Sequence, residues 1–211
     1  MAKMTILLLL LVLITIIIGI VIYPYMPDKV ASHWDASGQV DGYMSKFFGV
    51  FFVPIICLVC ILLFIFIPKM DPLKKNFKTF QKEFDFFALG IFLFFFYIYL
   101  LIIFWNLGYD INIGKYICPA FGILFIFVGV LLKKAKRNYF VGIRTPWTLA
   151  DDRVWDKTHQ LGFKLFILIG LLCFAGVFIP KYTFYIIIGL ILLVTGFLFL
   201  YSYLIYKGVI K

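Results

Sequence analysis

The stretch Asn138–His159 reads NYFVGIRTPWTLADDRVWDKTH and is the longest polar interruption in an otherwise apolar chain. It contains two of the four Trp, one of the two His and three of the ten acidic residues. A connector between membrane helices needs only to be polar and flexible, whereas this one has bulky aromatic residues, a Pro and charges at helical spacing. We therefore predict that it joins two membrane spans and has a defined shape.

The composition on either side of this stretch is that of a membrane protein. Of the 211 residues, 64% are hydrophobic and 14% are charged, against about 45–50% and about 25% in soluble domains. The mean hydropathy is +1.08, so we expect much of the surface to contact lipid. The net charge is +10, but no basic groove with interleaved stacking residues is visible, and we predict no direct binding of nucleic acid.

Six apolar runs are close to the roughly 20 residues that a membrane helix needs. We therefore predict an all-α polytopic protein with six spans. The first run is too long for a signal-peptide core and no small-residue cleavage site follows it, so it is interpreted as a retained helix. The predicted spans are Met4–Tyr25, Phe47–Ile67, Phe86–Trp105, Lys115–Leu132, Phe163–Ile179 and Thr183–Tyr206.

The spans divide the chain into three regions. Residues 1–70 form a two-helix domain with an outward loop at 27–46, and residues 71–114 contain the third helix and its connectors. Residues 115–211 form the last region, which includes the polar loop 133–162. Away from their ends the spans have no ionisable residue, which weighs against an ion channel or a proton-coupled transporter.

The distribution of Lys and Arg predicts the orientation. All but four of the 20 lie on one side of the six-span topology; the exceptions are Lys29, Lys46, Lys115 and Lys181. Cytoplasmic loops carry the excess of basic residues. Both termini and the loop 133–162 are therefore predicted to be cytoplasmic, and the loop 27–46 to face outward.

Two patterns inside the spans predict packing. Cys57 and Cys60 form a CxxC without a second pair at zinc spacing, so we interpret them as small hydrophobic residues within a helix. In the fourth and sixth spans, glycines seven residues apart lie on one face and predict close helix approach. These are Gly122 with Gly129, and Gly189 with Gly196.

The outer loop groups five residues that are candidates for ligand contact: His33, Trp34, Asp35, Asp41 and Tyr43. His33 with the two acids could form a loose metal site, or the group could cap the helices at the headgroup level with its aromatic residues as anchors. The spacing fits no regular ligand pattern, and we predict neither a metal nor a cofactor. The two His are predicted on opposite membrane faces and so cannot share a catalytic pair.

The inner loop contains a predicted helix start. Arg144-Thr145-Pro146 should be extended, because the residue before Pro avoids the helical region. Thr148 and Asp151 fit a capping box, which predicts a short interfacial amphipathic helix at about 149–161, anchored by Trp147 and Trp155. No nucleophile elbow, phosphate-binding loop or HExxH motif is present, and we predict that the protein is not an enzyme. An acid–base site, a docking face or a salt-bridge cluster that fixes the loop could each use Arg144, Asp151, Asp152, Asp156 and His159.

These same loop residues resemble the signature of the SdpI-type immunity proteins. The outer loop, with its P-x-x-V-x-x-H-W…G…D-G-Y…S-K pattern, is similar to a small domain of unknown function that often precedes that region. The inner motif would form a structural lock or a docking surface for a partner. Its residues are Asn138, Gly142, Arg144, Thr145, Pro146, Trp147, Thr148, Asp151, Asp152, Trp155 and His159.

The resemblance implies a multi-pass cell-membrane protein that gives immunity against a secreted peptide toxin. It also implies a signalling role, in which a cytoplasmic transcriptional repressor is held at the membrane, and it offers no catalytic residues. We expect the outer loop to contact the toxin. A small-molecule or lipid transporter, and a membrane enzyme that uses the inner-loop acids and His159, are the alternatives. The sequence leaves the oligomeric state open.

Overall fold

The computed structural model describes residues 2–210 of the chain. Within that range, 3-10 turns at Tyr23–Tyr25 and Gly176–Phe178 join some of the elements. Lys211, which the charge count placed in the basic tail, lies outside the described residues. In chain order the elements are α1 (Ala2–Ile22), β1 (Lys29–Trp34), β2 (Val40–Ser45), α2 (Lys46–Met70), α3 (Lys74–Thr79), α4 (Gln81–Asn106), α5 (Ile113–Lys134), α6 (Pro146–Ala150), α7 (Asp152–Ala175) and α8 (Pro180–Tyr206).

Six of these helices are long and apolar enough to cross a membrane: α1, α2, α4, α5, α7 and α8. Their outward faces are apolar as well, with Leu192 67% exposed and Leu193 68% exposed on α8. Exposed apolar surface on this scale is stable only against lipid. The chain is therefore a multi-pass membrane protein, and the prediction of six spans is confirmed.

α5 and α7 are in direct backbone contact at the centre of the bundle. A Cβ added to Gly122 would lie 2.8 Å from the carbonyl oxygen of Gly170, and one added to Gly170 would lie 2.7 Å from that of Gly122. A Cβ on Gly129 would lie 3.1 Å from the carbonyl oxygen of Phe163. The predicted close approach is confirmed for α5, because small residues let helix backbones meet. On α8 the prediction is wrong within this chain, since Gly189 and Gly196 have nothing within 4 Å.

The β1–β2 hairpin and the loop that joins α5 to α7 lie at opposite ends of the bundle. α5 begins beside the hairpin and ends where that loop starts, and its 22 residues span about 33 Å. We call these the hairpin end and the motif end, and residues 135–151 the motif loop. His33 and His159 lie at opposite ends, as predicted.

The hairpin corrects the prediction of an all-α fold. β1 and β2 pair antiparallel, with Ala31 opposite Tyr43, and the ladder is irregular around His33. Exposure alternates along β2 with a period of two, which is the pattern of a half-buried strand. Ser37-Gly38, a dipeptide typical of turns, lies at the tip, and Gly38 has φ +82° there. The period-two pattern of the residues that follow it was missed.

The predicted interfacial helix at 149–161 is also wrong. α6 ends at Ala150, and α7 runs unbroken from Asp152 to Ala175, so residues 152–161 are the first turns of the fifth span. Asp151 caps α7, because its Oδ1 accepts from the backbone N–H groups of Arg153 (2.7 Å) and Val154 (3.3 Å). The apolar face of these turns continues into the span, which leaves no reason for the helix to lie flat.

Candidate functional site

The hairpin packs on α2 where the side chain of Val30 lies directly against the backbone of Gly49. Val30 is fully buried, and a Cβ added to Gly49 of α2 would overlap its side chain. Only glycine leaves room for that approach. The irregular ladder at His33 is accommodated similarly, because a Cβ on Gly42 would lie 2.9 Å from that of His33.

The hairpin is also fixed to α4, through one carboxamide. Asn106 Oδ1 accepts from the backbone N–H of Ala31 at 2.8 Å, and its Nδ2 donates to the carbonyl oxygen of Ala31 at 3.0 Å. The same Nδ2 lies 2.9 Å from the carbonyl oxygen of Ile102. A neighbouring strand would offer a donor and an acceptor to Ala31 in the same way. The side chain of Asn106 therefore takes the place of a strand and pairs the backbone groups of Ala31 at the outer edge of β1.

A cavity of about 350 Å³ lies beneath the hairpin. Its volume is within the roughly 300–1,000 Å³ range of small-ligand pockets. Thr183 also contributes to the wall, but its hydroxyl is satisfied by the carbonyl oxygen of Gly176 at 2.8 Å. The apolar wall includes Ile98 and Leu101 of α4, Ile117 and Phe121 of α5, and Ile187 and Ile191 of α8. We call this space the hairpin cavity.

Three of the five outer-loop candidates form the roof of this cavity: His33, Trp34 and Asp35. Trp34 packs edge-on against Trp105 of α4, with ring centroids 5.6 Å apart and an interplanar angle of 81°. Asp41 lies on β2, and its Oδ1 is hydrogen-bonded to Nδ1 of His33. Tyr43 is also on β2 and is 60% exposed. The structure therefore brings three candidates together over the cavity and places two beside them, outside its lining.

Asp35 holds the hairpin tip together. Its Oδ1 accepts from the Ser37 hydroxyl (2.6 Å), the Ser37 N–H (2.8 Å) and the Gln39 N–H (2.9 Å). These hydrogen bonds hold the pKa of Asp35 below its usual value, and the one from the Ser37 hydroxyl has the largest effect. Within residues 2–210, no group of three or more His, Cys, Asp or Glu is arranged to hold a metal ion.

The motif end is organised around Asn138, which is fully buried. Its Nδ2 donates to the carbonyl oxygens of Lys136 and Val141, both at 2.9 Å. Its Oδ1 accepts from the N–H groups of Phe140 (2.9 Å) and Val141 (2.7 Å). Two donors and two acceptor sites are all that a carboxamide has, so Asn138 acts as an internal template for the loop.

Trp155 and His159 are stacked in the interior and do not anchor the loop at the membrane surface. Their ring centroids are 3.9 Å apart, and Trp155 Nε1 donates to the carbonyl oxygen of Ala135 at 2.8 Å. His159 Nδ1 lies 2.8 Å from the carbonyl oxygen of Trp155, and its Nε2 accepts from the N–H of Ile143 at 3.0 Å. A carbonyl only accepts and an amide N–H only donates, so these partners require the neutral tautomer with its proton on Nδ1.

Gly142 makes this arrangement possible. Its φ is +114°, and a Cβ at this position would overlap His159 Nε2 and lie 3.2 Å from Trp155 Cη2. Any other residue would be strained in the backbone and would also displace the imidazole. The glycine in the sequence motif therefore marks both a turn and a close approach.

The Thr-Pro-Trp-Thr segment joins the motif loop to α8. Thr145 and Thr148 form the capping box of α6, one turn before the predicted box of Thr148 and Asp151. The hydroxyl of Thr145 lies 3.0 Å from that of Ser202 on α8. Trp147 packs against Phe199 and Tyr203 of the same helix, with ring centroids 4.9 Å and 5.0 Å apart. This segment is thereby held to α8 by both polar and aromatic contacts.

The charged residues in and beside the motif loop pair locally. Arg137 Nε lies 2.8 Å from Asp152 Oδ1, and Lys136 Nζ lies 3.3 Å from both carboxylate oxygens of Asp156. Arg144 donates to the carbonyl oxygen of Tyr139. An acid–base site would need His159 within hydrogen-bond reach of an acid, and in the described chain both of its ring nitrogens meet backbone groups.

The sequence reasoning missed three polar residues that fix the loops at the ends of the bundle: Asn106 at the hairpin end, and Asp71 and Asn76 at the motif end. Asp71 is fully buried, and its carboxylate accepts from the N–H groups of Tyr139 (2.8 Å) and Leu73 (2.6 Å). Asn76 donates to the carbonyl oxygen of Arg137 at 2.7 Å. Asp71 is the single acid in the basic stretch 68–82, and that isolation was the available signal.

The fold and these sites define a class: a six-span helical membrane protein with a hairpin over an apolar cavity at one end and a self-bonded loop at the other. Residues 134–205 match the SdpI/YfhL protein family, and residues 10–58 match the domain of unknown function DUF1648. These matches confirm the resemblance of the motif loop to the SdpI/YfhL family and of the hairpin to the domain that precedes it.

Among curated proteins, the chain is similar to "Immunity protein SdpI" of Bacillus subtilis (strain 168). The two are 29% identical over 171 residues, which cover 81% of this chain and 79% of the relative. No solved structure matches the chain. The DUF1648 match covers the hairpin, and the SdpI/YfhL match covers the motif loop with α7 and most of α8.

Proposed function

We propose that this protein is a multi-pass membrane immunity protein that protects its cell against a secreted peptide toxin. The similarity to an immunity protein over four-fifths of the chain supports this function. The hairpin cavity supports the assignment of the site, because its volume of about 350 Å³ suits a ligand and three outer-loop candidates form its roof. The toxin contacts are His33, Trp34 and Asp35, flanked by Asp41 and Tyr43.

The orientation that fits this function puts the hairpin end outside the cell and both termini inside. The basic connector of α3 and the basic residues around the motif loop are then cytoplasmic, as expected from the distribution of positive charge. Labelling with a membrane-impermeant maleimide tests this, since the four native Cys lie within the spanning helices. Ser37→Cys should react in intact cells and Lys75→Cys only after lysis; the reverse pattern would contradict the orientation.

Survival tests the function itself. Sensitive cells that express the wild-type chain should grow in the peptide toxin to which the Bacillus relative confers immunity, and cells with the empty vector should not. Equal survival of the two would overturn the function. Trp34→Leu should reduce protection, whereas the exposed hairpin-end variant Lys29→Ala, outside the cavity lining, should not.

Signalling to a cytoplasmic repressor would have to use exposed residues of the motif end. Most of the motif's polar groups are already bonded within the chain, as with Asn138 and His159, which supports a locking role for the buried motif. Exposed Lys74, Lys75 and Lys78 of α3 are the surface that a partner could reach. The transporter alternative is not favoured, because the walls of the hairpin cavity below its roof are apolar.

A further inference from the structure

We propose that the hairpin cavity binds bulky apolar side chains of the peptide toxin, while the peptide backbone stays at the polar mouth under the hairpin. This inference rests on the proposed function and adds the chemistry of recognition. Binding would depend mainly on burial of apolar side chains, with no ion pair in the depth of the site.

The walls support this chemistry. Below the roof, the lining residues are aliphatic or aromatic apart from Gly114 and Thr183, and the hydroxyl of Thr183 is already bonded within the chain. The titratable side chains that line the cavity are His33 and Asp35, both in the roof. A charged ligand group in the depth would lose its hydration without a compensating partner.

The depth favours side chains over a lipid tail. The α5 wall runs from Ile113 to Phe121, and eight helical steps correspond to about 12 Å. One leaflet of the hydrocarbon core is deeper, at about 15 Å, half of the full thickness. The cavity is therefore shallower than an extended lipid tail but can accommodate large side chains.

The roof favours a ligand that also has polar groups. His33 and Asp35 are exposed at the mouth, so a molecule held there must offer hydrogen-bonding groups above and apolar groups below. A peptide backbone with bulky apolar side chains has both. Asn106 and Val30 fix the roof over α4 and α2, so the mouth has a defined position before binding.

Filling the cavity from its walls tests the inference. Ile117→Trp and Ile191→Trp each place an indole in the space. Ile123→Trp and Ile186→Trp are matched controls on the same two helices, because those residues are 48% and 42% exposed and lie outside the lining. The filled variants should tolerate about ten-fold less peptide than the wild type, as expected if burial of one side chain is lost, and the controls should match the wild type.

Photo-crosslinking gives an independent measurement on a nearly unaltered chain. A diazirine analogue of leucine at position 117, close in size to the native Ile, should form an adduct with the mass of the peptide, whereas the same group at position 123 should react with lipid. Membrane levels measured by immunoblot exclude poor accumulation as the cause of lost protection, and Ile191→Phe replaces any filled variant that does not accumulate.

The outcomes separate the two proposals. Loss of protection in the filled variants together with the peptide adduct at position 117 supports the inference. If the wild type protects but the filled variants protect equally, or position 117 yields only lipid adducts, the inference is overturned and the proposed function stands. If the wild type gives no protection, the proposed function fails, and the inference fails with it.

Discussion

At the motif end, the carboxamide of Asn138 uses its two donors and two acceptor sites on backbone groups of its own loop. At the hairpin end, a cavity of about 350 Å³ remains open, and the indole N–H of Trp34 is buried without a partner among residues 2–210. Well-packed, satisfied regions resist change, whereas unfilled concave space is where ligands bind. The comparison supports the proposal that the motif end stabilises the bundle and the hairpin end recognises the ligand.

The largest effect should come from Gly142→Ala at the motif end. The added Cβ would overlap His159. The positive φ at position 142 also costs about 1–3 kcal/mol in a residue other than glycine. Loss of the bond from Ile143 N–H to His159 leaves a buried donor unsatisfied, at about 1–3 kcal/mol more. The thermal midpoint in detergent should fall sharply.

Gly38→Ala is the matched control at the hairpin end. Gly38 also has a positive φ, but nothing lies within 4 Å of its added Cβ. An equal loss of stability in the two variants would show that backbone strain alone acts at Gly142, and would weaken the contrast between the ends.

Asp71→Ala should have the next largest effect. It removes the acceptor for the N–H groups of Tyr139 and Leu73 in a fully buried position. An unsatisfied buried donor costs about 1–3 kcal/mol, so we expect a loss of about 3 kcal/mol in the free energy of unfolding. Asp110→Ala, at an exposed position of the hairpin end, should leave the thermal midpoint unchanged. A small effect of Asp71→Ala would mean that the motif loop does not depend on the α2–α3 connector.

Asn106→Leu should act on the hairpin and little on the bundle. Both hydrogen bonds to Ala31 are lost, at about 1–2 kcal/mol of local stability, since water can partly replace them. Hydrogen exchange of residues 29–34, followed by mass spectrometry, should accelerate and protection against the toxin should fall. Asn76→Leu at the motif end should lower the thermal midpoint without changing exchange in the hairpin. Faster exchange of the hairpin in Asn76→Leu, with no change in Asn106→Leu, would contradict the proposed division between the two ends.

The smallest effect belongs to Asp35→Asn at the hairpin tip. Because hydrogen bonds to the carboxylate lower the pKa of Asp35, its stabilisation is present above its unfolded pKa and is lost as pH falls through the folded value. Exchange of residues 35–39 should be faster in the variant at neutral pH, and the difference should vanish in acid. A difference that persists in strong acid would show that ionisation of Asp35 does not hold the tip.

The sequence predicted the spans well, because apolar runs of about 20 residues have few alternatives. It failed at the boundaries of α7: polar residues such as Asp152 and Lys157 predicted a separate helix at the membrane surface, although they belong to a capped helix that continues into the fifth span. It also missed the contacts of Asp71 and Asn106, since both bond to backbone far away in sequence and no local pattern records such partners. The sequence singled out Trp155 and His159, but their burial against Ala135 and Ile143 depends on tertiary packing that no local pattern records.

The two hydrogen bonds between Asn106 and Ala31 fix the register of the hairpin as well as its position on the bundle. A strand that slips by one residue turns every side chain to the other face, and here it would also carry Val30 out of the gap at Gly49 and Ala31 away from its carboxamide. The register of the hairpin is therefore set at its base, several residues before its tip. Insertions and exchanges at residues 36–39 leave that base intact, so the tip of the hairpin can change in sequence while the way it is seated on the bundle stays the same.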